Sequence, residues 1–166
     1  MTNNFEQALA SIEKETDVGK LLQWVKNARG KSPALEAAAF DRLIKLSPKQ
    51  EPGTVKYACE QMVLAVETLR KINGHKIWRM NRLRPKIEKD GEVAALAYCV
   101  EHETPGFNEV MNYGRPDLTA EWIVLQHPQH FDAAILSAAR KRLASRGVEI
   151  DGFDNNNLNP NQLGTG

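Results

Sequence analysis

The sequence predicts an all-α fold: one compact multi-helix domain of eight to nine helices over residues 1–147, followed by a disordered Asn- and Gly-rich tail over 148–166. Three observations predict it. Apolar residues recur at three- and four-residue spacing through most of the chain, which is the pattern of helices with one buried face. Cap residues stand in front of those runs and glycines behind them. From Val148 the periodicity stops, and Asn155, Asn156, Asn157, Asn159 and Asn161 follow. Such a composition buries too little apolar surface to offset the entropy of ordering it.

Asn3 or Asn4 caps a first helix with Phe5, Leu9 and Ile12 on one face. Asp17 caps a second, with Val18, Leu21, Leu22 and Val25 inward and Trp24 at the margin; Gly30 supplies its left-handed stop. Ser32 and Pro33 open a third, a cap followed by a proline whose missing N–H costs nothing at that position. Its buried face is Leu35, Ala38, Ala39, Leu43 and Leu46. After a break at Pro48 and Pro52, Thr54 caps a long fourth helix built on Val55, Cys59, Met62, Val63, Val66 and Leu69. Asn73-Gly74 ends it.

The next stretch, His75 to Lys89, is the longest amphipathic segment. On a helical wheel of about 100° per residue, Ile77, Met80, Leu83 and Ile87 form one stripe. Arg79, Arg82, Lys86 and Lys89 lie opposite, with Trp78 beside Lys89. Arg84 falls on the apolar side, so it must snorkel outward or find a buried carboxylate. Pro85 allows either one kinked helix or two short ones. The unbroken phase of the stripe favours a single kinked helix.

Asp90-Gly91 separates this segment from a helix on Val93, Leu96, Ala97 and Val100. Thr104-Pro105 starts another, stopped by Gly114. Leu118-Thr119 and Phe131-Asp132 open the last two, each an apolar residue before a cap. The final helix ends at Gly147. No solenoid-type repeat is visible.

A chain of 166 residues suits one domain with a sizeable core. Its formal charge of +1 says little, but the distribution is uneven. From Arg70 to Lys89 there are eight Lys or Arg and one acid; from Glu92 to Asp132 there are seven acids and one base, Arg115. The two cysteines, Cys59 and Cys99, lie in apolar helical patterns, which fits a reducing compartment. No signal layout opens the chain and no apolar run approaches a membrane span, so a cytoplasmic protein without a membrane role is expected.

The basic stretch is the leading functional candidate. Cations on one helical face neutralise successive phosphates, and a flanking indole stacks on a base or sugar. The expected nucleic-acid-binding residues are Arg79, Arg82, Lys86, Lys89 and Trp78, joined by Arg140 and Arg142 of a second basic cluster on the last helix. The plain alternative is a solvated charged face, with the last-helix cations complementing the helix dipole. A sequence-reading helix-turn-helix over Leu118–Gly147 is disfavoured: His127-Pro128-Gln129-His130 is not the usual tight glycine turn, and the second helix opens on Asp132.

Cys99-x-x-His102 and His127-x-x-His130 resemble two halves of a zinc site, 24 residues apart. A buried thiol beside surface imidazoles accounts for the same residues, so no metal and no cofactor is assigned. Nothing in the chain fixes two of Glu101, Glu103, Glu109, Asp117 and Glu121 together as an acid/base pair. Gly-rich phosphate loops, nucleophile elbows and H-E-x-x-H elements are missing from the sequence. The reading is therefore a non-enzymatic helical binding protein for nucleic acid or another polyanion. Its alternatives are a protein-interaction adaptor that meets an acidic partner or itself, and a metal-dependent hydrolase on the Cys/His quartet.

Overall fold

The computed structural model describes residues 4–151 and 153. It is all-helical, with nine α-helices and no strand among the described residues. They are α1 (Asn4–Lys14), α2 (Val18–Ala28), α3 (Pro33–Leu46), α4 (Val55–Ile72), α5 (Leu83–Asp90), α6 (Glu92–Glu101), α7 (Pro105–Asn112), α8 (Ala120–Gln126) and α9 (Ala133–Ser145). Short 3₁₀ turns at Pro116–Leu118 and Pro128–His130 flank α8.

The local start signals act as their chemistry requires. Asp17, Ser32, Thr54, Thr119 and Asp132 each accept the N–H of the residue three positions on, satisfying one of the donors that a helix start leaves over. Gly30 and Gly147 take the positive φ that ends α2 and α9. The capping contribution of Asn3 lies outside the described residues.

Helix α4 is the axis of the molecule. Its Val55, Cys59, Met62 and Val63 belong to one hydrophobic cluster, with Leu83, α6, Phe107, α8 and α9. Its Ala65, Val66 and Leu69 belong to a second, with Ile12, Leu21, Val25, Phe40, Leu43, Ile44, Val110 and Leu118. The buried residues of α4 are shared between the two clusters, so one broad apolar face packs against both. Polar ties brace the second cluster: Arg115 reaches both Asp117 and Asp41, and the Tyr113 hydroxyl donates to Glu36.

Three expectations are corrected. First, His75–Lys89 is not one kinked helix; α5 begins only at Leu83, and residues 75–82 are turns, bends and irregular backbone. Pro85 is the third residue of α5, where its absent N–H is one the first turn leaves unbonded anyway. Second, Ile77 is 74% exposed and Val18 44% exposed, so neither completes its apolar stripe. Third, packing continues past residue 147. Val148, Ile150 and Phe153 lie against the first cluster, with the Phe153 ring edge-on to Trp122 at 4.5 Å. The remainder of the expected tail, Gly152 and residues 154–166, lies outside the described residues.

Candidate functional site

The segment from the end of α4 through α5 has two sides, and buried carboxylates decide which cation goes to which. Glu67 on α4 is buried among apolar neighbours. A carboxylate there needs compensation, because desolvating an unpaired charge is expensive. Arg84 supplies it as a fork, Nε to Oε2 at 2.9 Å and Nη2 to Oε1 at 2.6 Å. The Met80 N–H also donates to Oε2 at 2.9 Å, which draws 75–82 out of helical geometry. Burial alone would raise the Glu67 carboxyl, but Arg84 and the Met80 N–H outweigh it and hold it below the usual range. Arg84, read from sequence as needing a buried carboxylate or an outward path, has the carboxylate. Arg70 is likewise tied, to Glu109 at 3.0 Å.

The remaining cations of the run face outward. Lys71, Lys76, Arg79, Arg82 and Lys89 are exposed and form no ion pair among the described residues. Trp78 is half buried, and the Lys71 ammonium lies 3.9 Å from its ring centroid, a cation–π contact that occupies one approach to the indole. Lys86 bonds Asp90 at 3.1 Å one turn on and stands 5.1 Å from the Tyr98 ring centroid on α6. Tyr98 in turn stacks on His102, with centroids 4.1 Å apart and planes 25° apart.

The expected site residues therefore separate. Arg79, Arg82 and Lys89 share one exposed stretch, with Trp78 and Lys86 at its margins. Arg142 does not join them and is engaged elsewhere. Its Nη1 donates to Glu121 Oε1 at 2.6 Å and to the Cys99 carbonyl at 3.1 Å. The reason is again a buried acid: Glu121 is 1% exposed. Burial raises its carboxyl, and the Arg142 guanidinium opposes that only in part. Arg140 is half buried on the same helix. Sequence reasoning overlooked Lys71 and Lys76, which stand in the same charge run, and Tyr98, whose only signal was its four-residue spacing from His102.

Glu121 also lines a small cavity of about 20 Å³ between the two clusters, with Met62, Val66, Met80, Cys99 and Phe107. Its Oε2 has no hydrogen-bond partner among the described residues.

The zinc quartet is not assembled. Among the described residues no three His, Cys, Asp or Glu gather to hold a metal ion. Cys99 is buried, and burial pushes its thiol up to about 12. His102 is held by its Nδ1 against the Tyr98 carbonyl at 3.0 Å. His127 is half buried, and burial, helped by neighbouring His130, lowers its pKa. Nor is any described helix long and apolar enough to cross a membrane.

No family model, no curated protein and no solved structure matches this chain.

Proposed function

We propose that the protein binds nucleic acid, or a polyanion of like charge density, through the exposed cations that run from the end of α4 to the end of α5. The observation that carries this reading is the sorting of cations in that run. Arg70 and Arg84 are consumed by Glu109 and Glu67. Lys71, Lys76, Arg79, Arg82 and Lys89 are left facing solvent in a stretch with one exposed acid before Asp90, Glu88. Five unpaired cations on a short segment produce a local positive field that the overall charge of +1 conceals. Backbone phosphates are matched by this charge without any reading of sequence, so binding is non-specific in base sequence and steeply dependent on salt.

The adaptor reading rests on a contiguous apolar surface. The exposed large hydrophobic residues, Phe5, Val18, Ile77 and Tyr98, stand on four different segments of the chain, and this supports it less well.

The test is fluorescence anisotropy with labelled DNA and RNA across a salt series, comparing the natural chain with the Arg79→Ala/Arg82→Ala/Lys89→Ala variant. The variant should bind more weakly, with a log–log salt slope shallower by about 2–3, as loss of three phosphate contacts requires. All three side chains are exposed, so circular dichroism should show an unchanged fold. Absence of binding by the natural chain at low salt overturns the reading.

A further inference from the structure

We propose that Tyr98 and His102 form a base-stacking platform, and that the nucleic acid bound is single-stranded. This rests on the polyanion reading above and adds to it the kind of strand. Two aromatic–cation pairs bracket the basic segment: Lys71 over Trp78 at its start, and Lys86 over Tyr98 beside α5. Between them stand Arg79 and Arg82, with Lys89 further along α5. Lys86 and Lys89, three residues apart on α5, share one side of that helix, the side from which Lys86 reaches Tyr98, and Arg82 stands at its N-cap. Phosphate-competent cations interleaved with aromatic rings make a surface for a strand whose bases are unpaired, because only such a strand offers base faces along with its phosphates.

The Tyr98–His102 pair is built for this contact. Tyr98 is 42% exposed although it stands on a helix whose neighbours Ala95, Leu96, Cys99 and Val100 are buried. His102 is exposed as well, and its ring is fixed twice, by stacking on Tyr98 and by the hydrogen bond that Nδ1 donates to the Tyr98 carbonyl. A ring already held in place loses little freedom when a base stacks on it. The surrounding charge is mixed. Exposed Glu101 and Glu103 flank His102, and Asp90 holds Lys86. Arg79, Arg82 and Lys89 take the phosphates, and the exposed rings at that end meet the bases.

The test compares labelled oligo-dT and oligo-rU with a hairpin duplex of equal length, using the natural chain, a Tyr98→Leu/His102→Ala variant, a Tyr98→Phe variant and the triple arginine/lysine variant. Both substituted side chains are exposed, and circular dichroism checks the fold. Single strands should bind more tightly than duplex, and the Tyr98→Leu/His102→Ala variant should lose roughly tenfold in single-strand affinity, in keeping with the loss of a base stack. Its salt slope should be unchanged, and Tyr98→Phe should bind as the natural chain does. Undiminished single-strand binding by the Tyr98→Leu/His102→Ala variant, or an equal preference for duplex, overturns the platform and leaves the phosphate surface standing if the triple variant has lost binding. No binding by the natural chain to either nucleic acid overturns both.

Discussion

Arg84 and Glu67, 17 positions apart in the chain, close on each other through two hydrogen bonds of 2.9 and 2.6 Å, and the carboxylate also takes the Met80 N–H. This contact fixes where α5 starts. It also divides the basic run, taking Arg84 inward and leaving its neighbours outside.

Removing Glu67 therefore has a local and a global consequence. Glu67→Ala should cost about 3 kcal/mol in urea unfolding, the lower end for breaking a buried pair, since Arg84 retains some solvent exposure. In hydrogen exchange the Met80 amide should lose protection while amides within α2 and α3 keep theirs. Unchanged protection at Met80 would show that the loop is held by something other than Glu67.

The two buried glutamates should titrate in opposite directions from the ordinary value. Carboxyl-detected NMR should place the midpoint of Glu67 below that of Glu121. The sign follows by linkage. The depressed Glu67 contributes stability above the unfolded value of about 4.3 and loses it as pH falls through the folded midpoint. The raised Glu121 does the reverse: its contribution is complete below about 4.3 and is lost as pH rises through its own folded midpoint. Glu67→Gln should thus flatten the acid limb of the stability profile, and Glu121→Gln should flatten the limb above it.

A pair of alanine substitutions separates an exposed loop from a buried helical stripe. Ile77→Ala should change stability by no more than about 0.5 kcal/mol, as at an ordinary surface position. Leu83→Ala, in the core, should cost about 2–5 kcal/mol. Were 75–89 a single amphipathic helix, the two would cost about the same.

Both thiols should be silent in the native protein. Cys59 and Cys99 are buried, and burial raises both pKa values. Ellman's reagent at about pH 8, near the pKa of a free thiol, should find no reactive group until urea is added, and then both. Rapid modification of the folded chain would mean that the α4–α6 contact opens readily.

Much of the fold was legible because it is written in local chemistry. Asp17, Ser32, Thr54, Thr119 and Asp132 act within three residues of themselves, so a short window of sequence contains everything their capping role requires. The basic segment was legible as charge but not as shape. Its apolar stripe holds phase through Ile77 and Met80, yet periodicity reports only what a helix would bury, and among the described residues Ile77 stays exposed. The tail boundary failed for a related reason. Val148, Ile150 and Phe153 show no helical period, but Trp122, supplied by another helix, gives Phe153 an apolar surface to meet.

By itself the sequence determined the helical class, most helix starts and stops, and the concentration of cations between Arg70 and Lys89. All of these follow from interactions spanning a few residues or from composition. Tertiary structure alone decided which of those cations remain available. Arg84 stood apart in the chain only by falling on the apolar side, and Arg142 looks like its neighbours, but Glu67 and Glu121, 17 and 21 residues away, claim them once the helices pack. A buried carboxylate cannot stay charged without a partner, and which arginine satisfies it depends on helix packing rather than on proximity in sequence.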